Sequence, residues 1–178
     1  MRFLVTLITC VALLIGGCDD TPKTPVRLSE GAVMPSITVT DLDGATLNLD
    51  SQRGKLVVLH VWATWCPPCR EELPGLDRLA KSLDPQRYTV IGLAIDEDVN
   101  LVREFNLKYH ISFARHIDPE MKVANMLGVT ATPETFLIGP DGKLVRRMIG
   151  DQPWDTPGMR QVLEQAYNGQ RGKSGAYW

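Results

Sequence analysis

The sequence predicts an α/β fold, with a mixed central sheet flanked by helices, from three observations. Leu56–Trp62 and Tyr88–Ile95 are nearly continuous apolar runs, the pattern of strands buried on both faces. Between them Cys69, Leu73, Leu76, Ala80 and Leu83 recur at intervals of four, three, four and three, the stripe of an amphipathic helix. Late in the chain Pro140-Asp141-Gly142 turns a strand over Glu134–Ile138 back into Lys143–Ile149. Alternating strands and helices argue for layers with helices on both faces of one sheet, and the closing hairpin makes that sheet mixed.

Residues 1–17 read as a signal peptide outside the folded domain. Arg2 precedes an apolar run, Phe3 to Ile15, too short to span a bilayer comfortably. Small residues then lead to Cys18. Ile15-Gly16-Gly17-Cys18 resembles a bacterial lipobox, whose cysteine is lipid-modified and becomes the mature N-terminus. An ordinary cleaved signal and an uncleaved anchor are the rival readings. Residues 18–32 carry Asp, Thr, Pro, Lys and Arg without periodicity and read as a tether.

The domain itself is expected over 33–168. It opens on a hairpin, Ile37–Asp41 and Ala45–Asn48, turning at Asp43-Gly44. After the strand at Leu56–Trp62, the helix should run from Pro67 to Leu83, kinked at Pro74, which has no N–H to donate. Asp96-Glu97-Asp98 reads as a solvated acidic turn, and Asn100 as the N-cap of a helix over Leu101–Tyr109. A short strand near Phe113–His116 completes an inserted helix–strand unit. A helix over Glu120–Leu127 stops at Gly128, and Pro157 opens a final helix to Tyr167. The polar, Gly-rich stretch 169–178 is expected to be a flexible tail.

With 178 residues the chain has room for one packed domain and extensions. Nineteen basic against 21 acidic residues, net −2, with no basic stripe, make nucleic acid a poor partner. Export would place Cys10 in the signal and acylate Cys18, leaving Cys66 and Cys69 as the free thiols. An oxidising compartment drives such a pair toward the disulfide, so a useful reductant there needs electrons from elsewhere.

Cys66 and Cys69 flank Pro67-Pro68 where a strand passes into a helix. Three positions apart on a helix, they share one face at a distance a disulfide can close. Cys66 lies at the open helix end, where unpaired N–H groups favour a thiolate. It would attack a substrate disulfide, and Cys69 would then resolve the mixed disulfide. A structural disulfide is the bland alternative. Zinc would need four ligands, and no second Cys/His pair has suitable spacing. A haem attachment signal would need His at position 70, which is Arg. Trp62 reads as core, and Trp65 as lining the surface where substrate docks. His110 and His116 sit in exposed-looking contexts.

Val61-Trp62-Ala63-Thr64-Trp65-Cys66-Pro67-Pro68-Cys69-Arg70-Glu71-Glu72, followed by Thr132-Pro133-Glu134-Thr135-Phe136-Leu137-Ile138, resembles the thioredoxin superfamily. More narrowly it resembles the TlpA/ResA/DsbE group of membrane-tethered extracytoplasmic thiol reductases. The similarity spans Val33 to Asn168 and includes the N-terminal hairpin and the insert after Ile95. It implies a thioredoxin-like fold, a redox-active Cys66–Cys69 disulfide with no other cofactor and no metal, and a cis peptide before Pro133. Substrate would be bound by Trp65, Pro67, Thr132 and Pro133. Glu72 would tune cysteine ionisation or shuttle a proton; the bland alternative is a solvated helix glutamate, as Glu71 is expected to be.

His60 departs from the group, which commonly has asparagine there, whereas thioredoxin has a buried aspartate. It is a candidate to exchange a proton beneath Cys69, but a neutral, hydrogen-bonded core histidine is the favoured reading. The resemblance further implies a monomer, lipid-anchored in the bacterial cell envelope and facing the periplasm or cell exterior. It would reduce protein disulfides such as apocytochrome c, with electrons from a membrane thiol reductase. A copper or haem delivery protein with thiol ligands, His60 adding a third, is the non-enzymatic alternative. A peroxidase fits less well, because such an enzyme needs one activated cysteine without a close neighbour.

Overall fold

A computed structural model describes residues 28–170. The signal peptide at 1–17, the lipidation candidate Cys18, most of the tether and the last eight tail residues lie outside the described residues.

Seven strands form one mixed sheet: β1 (Thr38–Asp41), β2 (Thr46–Asn48), β3 (Leu56–Trp62), β4 (Tyr88–Ala94), β5 (His116–Ile117), β6 (Glu134–Ile138) and β7 (Leu144–Ile149). Their order is β2-β1-β5-β4-β3-β6-β7. Strands β3, β4 and β5 run parallel, joined by α1 (Pro67–Ser82) and α2 (Val99–Tyr109). Strands β6 and β7 are antiparallel additions beyond β3, and the leading hairpin is antiparallel to β5 at the opposite edge. The segment before β1 starts beside β7, where Gly31 N–H donates to the Leu144 carbonyl at 2.6 Å. This segment thus crosses the domain from one sheet edge toward the other.

β3 is buried at every residue, as its unbroken apolar run requires. Its alternation separates the two faces. His60 is in register with Thr135 and Met148, and Leu59 with Phe136 and Arg147. Helix α1 covers the His60 face; α4 (Pro157–Tyr167) is tied to it through the Arg160–Ser82 hydrogen bond, and the loop before α4 through the Arg78–Asp155 pair. The short α3 (Lys122–Met126) has its C-terminal end on the opposite face, where Arg147 donates to the Gly128 carbonyl at 2.6 Å. Gly92 lets the insert approach β4 closely, since a Cβ there would lie 2.6 Å from Ala114 Cα.

Several local expectations change. Helix α2 begins at Val99 and is capped by Asp98, whose carboxylate accepts from Asn100 N–H at 2.9 Å; Asn100 is therefore inside the helix. Asp96 is buried, not part of a solvated turn. The insert's strand is His116–Ile117, beginning at the last residue of the expected segment, because Phe113 and Ala114 are drawn into the core against Gly92. His116 is half-buried rather than exposed. Pro74 lies inside helix α1, a single 16-residue element, as the apolar stripe that spans it implied. Gly169 and Gln170, expected to open the tail, close α4 with hydrogen bonds to Ala166 and Gln165.

Candidate active site

Cys66 is the N-cap of α1, with extended backbone, and Pro67 begins the helix where no amide donor is needed. Its sulfur is bonded to that of Cys69 at 2.09 Å, with Cα atoms 5.3 Å apart. The Cys69 amide points at Cys66 Sγ from 3.3 Å, so an orphan helix N–H faces the sulfur that would carry charge after reduction. Cys69 is completely buried and Cys66 is 3% exposed. Beside them Trp65 stands 62% exposed and Pro67 is exposed. A partner's disulfide would therefore meet Cys66 first, next to an uncovered indole.

The loop into α1 is held by Asp96, at the end of β4. Its carboxylate accepts from the Thr64 amide at 3.0 and 3.2 Å and from the Thr64 hydroxyl. The Thr132–Pro133 peptide is cis. Because Glu134 pairs with Val61, Pro133 lies at the sheet end from which the cysteine loop departs. Gly150 N–H donates to the Pro133 carbonyl at 2.9 Å. Thr132 is half-buried beside it.

Beneath the disulfide, one helical turn beyond Cys69, Glu72 is buried. Its Oε2 accepts from Trp154 Nε1 at 2.6 Å and from the Gln152 amide at 2.8 Å, both on the loop between β7 and α4. Burial pushes the Glu72 carboxyl up to about 7, against the pull of those two donors and with help from the Asp151 charge. His60 is fully buried; its Nδ1 lies 2.9 Å from Thr135 Oγ1, and burial pushes the ring down to about 3. His60 Nε2 and Glu72 Oε1 face each other at 3.5 Å. Glu71, by contrast, is exposed. The site thus combines a reducible bond with a buried carboxyl whose proton is exchangeable near neutral pH. Among the described residues no group of three or more His, Cys, Asp or Glu side chains is placed to hold a metal ion.

Sequence reasoning missed Trp154, Gln152, Asp96, Thr135 and the Arg147–Glu134 pair. Trp154 left a trace, a lone aromatic within polar Asp151–Thr156. Glu134 left another, an acid opening an apolar strand opposite Arg146-Arg147. In the fold Arg147 pairs with Glu134, which is fully buried, and stacks over Phe136.

Residues 31–147 match the AhpC/TSA family. The thiol-disulfide oxidoreductase ResA of Bacillus anthracis is 36% identical over 126 residues, covering 71% of this chain and 73% of that one. ResA of Bacillus subtilis (strain 168) is 32% identical over 123 residues, 69% of each. Among solved structures, a thiol:disulfide interchange protein described as DsbE from Chlorobium tepidum superposes with a TM-score of 0.72 at 25% identity, covering 79% of this chain and 99% of that one. A secreted Mycobacterium tuberculosis disulfide oxidoreductase homologous to E. coli DsbE gives 0.60 at 26% identity, covering 75% and 96%. The chain therefore belongs to the AhpC/TSA family of the thioredoxin superfamily, as a ResA/DsbE-like thiol-disulfide oxidoreductase.

Proposed function

We propose that this oxidoreductase works outside the cytoplasm as a membrane-attached reductant of protein disulfides, apocytochrome c being the favoured client. The observation that carries the reducing direction is the pairing of a helix-capping disulfide with a buried carboxyl and a neutral imidazole beneath it. A carboxylate there disfavours a second negative charge and so withholds stabilisation from the thiolate. Strong oxidants of this kind are strong because their reduced form is stabilised; this site lacks that help from below.

In the forward reaction the Cys66 thiolate attacks a client disulfide. A bond forms from Cys66 to one client sulfur, and the other leaves with the electron pair. Cys69 then attacks Cys66 Sγ, the Cys66–client bond breaks, and the client departs reduced. The Cys69 proton passes to Glu72, one turn along the same helix. Trp65, Pro67, Thr132 and Pro133 frame the groove in which the client chain lies. Two electrons from a membrane thiol reductase restore the dithiol, and acylation of Cys18 keeps the protein beside that donor. No helix among the described residues is long and apolar enough to cross a membrane. Attachment is assigned in this reading to Cys18 because Ile15-Gly16-Gly17-Cys18 resembles a lipobox.

The test is a Cys69→Ser variant in envelope preparations. It should trap a mixed disulfide through Cys66 to a cysteine-containing client, and Cys66→Ser should abolish both the adduct and disulfide reduction. Reduction at the wild-type rate by Cys66→Ser would refute the reading. Incorporation of labelled fatty acid, lost in Cys18→Ala, tests the anchor.

A further inference from the structure

Two buried atoms in the site have no hydrogen-bond partner: His60 Nε2 and Glu72 Oε1. They belong to different elements, β3 and α1, yet they face each other at 3.5 Å. That is slightly too long for a formed hydrogen bond, and a few tenths of an ångström of closure would make one. Leaving both orphaned is costly, which favours the closure. The opposite ends of both groups are occupied. Glu72 Oε2 receives two N–H donors, at 2.6 and 2.8 Å, so a proton on this carboxyl belongs on Oε1, aimed at His60. His60 Nδ1 meets Thr135 Oγ1 at 2.9 Å, and a hydroxyl can either donate or accept.

We propose that His60 Nε2 and Glu72 Oε1 hold one proton between them in both charge states of the carboxyl, so that ionisation of Glu72 is accompanied by a tautomer switch of His60. With Glu72 protonated, Oε1–H donates to bare Nε2 and Nδ1–H donates to Thr135. With Glu72 ionised, Nε2–H donates to Oε1, and bare Nδ1 accepts from the Thr135 hydroxyl. The two states differ by the one proton that Glu72 exchanges with Cys69. Neither state strands a buried polar atom, so the imidazole accommodates both without becoming charged. His60 is thus a positioning residue, acting through Glu72.

Other groups bear on the pair without replacing this exchange. Asp151, from the loop between β7 and α4, adds a negative charge that acts on Glu72. Cys69, on α1, becomes titratable only on reduction. Trp154, whose ring meets that of His60 edge-on at 6.0 Å, supplies a fixed donor.

This inference rests on Glu72 being the proton acceptor of the exchange reaction, but its test needs no turnover. In the full-length oxidised protein, labelled with 15N and 13C, the His60 ring nitrogens and the Glu72 carboxyl carbon are followed by NMR from pH 4 to 9. The expected result is a change from Nδ1–H to Nε2–H in the His60 ring, with the same midpoint as the carboxyl. Glu72→Gln should leave one His60 tautomer throughout. His60→Leu should move the Glu72 midpoint up by about one pH unit, because the ionised form loses the stronger, charge-assisted bond. A single tautomer across the Glu72 titration, a doubly protonated ring above the midpoint, or a switch that survives Glu72→Gln would overturn the proposal. Each of these could occur in a fully active reductase, whereas an inactive Glu72→Gln enzyme bears on the catalytic reading alone.

Discussion

Two glutamates are buried at the active end of the sheet, one on each face, and the fold treats them in opposite ways. Glu134, on the Phe136 face, is paired with the Arg147 guanidinium, which also binds the carbonyls of Leu127 and Gly128. Glu72, on the His60 face, receives only neutral donors among the described residues. The Arg147–Glu134 pair pins the strand that follows Pro133 to the end of α3. In the proposed mechanism a carboxyl without a counter-charge keeps its proton available to Cys69 after reduction. Burial alone therefore does not mark a functional acid; what matters is whether the fold also supplies a compensating charge.

The largest expected effect breaks the Glu134 side. Arg147→Ala leaves a buried carboxylate without its partner and should cost about 3–5 kcal/mol in urea denaturation. Glu72→Gln should do the reverse at pH 8, raising stability by up to about 3 kcal/mol, because it removes a carboxyl that ionises unfavourably when folded. The signs follow from the folded values. Glu72, raised from 4.5 to about 7, contributes stability that is complete below pH 4.5 and lost as pH rises toward 7. His60, lowered from 6.5 to about 3, contributes stability that is complete above pH 6.5 and lost as pH falls toward 3. Between pH 4.5 and 6.5 the two slopes oppose each other, each about 1.4 kcal/mol per pH unit. Glu72→Gln should therefore unmask a rise with pH in that window relative to wild type, and His60→Leu a fall. Profiles parallel to wild type in both variants would show that neither group titrates as described.

Smaller changes sharpen the contrast. Trp154→Phe keeps the ring but removes one donor from Glu72 Oε2, which should raise the carboxyl midpoint by about one pH unit and cost about 1 kcal/mol below it through lost packing and bonding. Carbon NMR of the carboxyl reads the first effect, and an unchanged midpoint would remove the indole from the electrostatic argument. Trp65→Ala, at an exposed position away from both acids, should change stability by no more than about 0.5 kcal/mol. It should instead raise KM for a protein disulfide while leaving kcat for a small disulfide unchanged.

The order of elements was legible because each rests on a local pattern: the unbroken run of β3, the stripe of α1, and the Pro-Asp-Gly turn before β7. Cys66 and Cys69 were legible from spacing alone, and Pro133 from resemblance. The partners of those residues were not. Glu72 and Trp154 are 82 residues apart, and His60 and Thr135 are 75 apart, joined only when β6 pairs with β3 and the loop after β7 folds over α1. Asp96 was misread for the same reason. Three acids in a row look solvated until the loop carrying Thr64 is laid against the first of them.

The proposed reducing direction rests on the carboxyl beneath the cysteines, and the reduction potential of the Cys66–Cys69 pair at pH 7 tests it most directly. Equilibration against thiol–disulfide buffers should give a value near or below thioredoxin's, about −270 mV, and Glu72→Gln should move it to a less negative value. A wild-type potential near that of a strong oxidant, about −120 mV, would contradict the reductase reading.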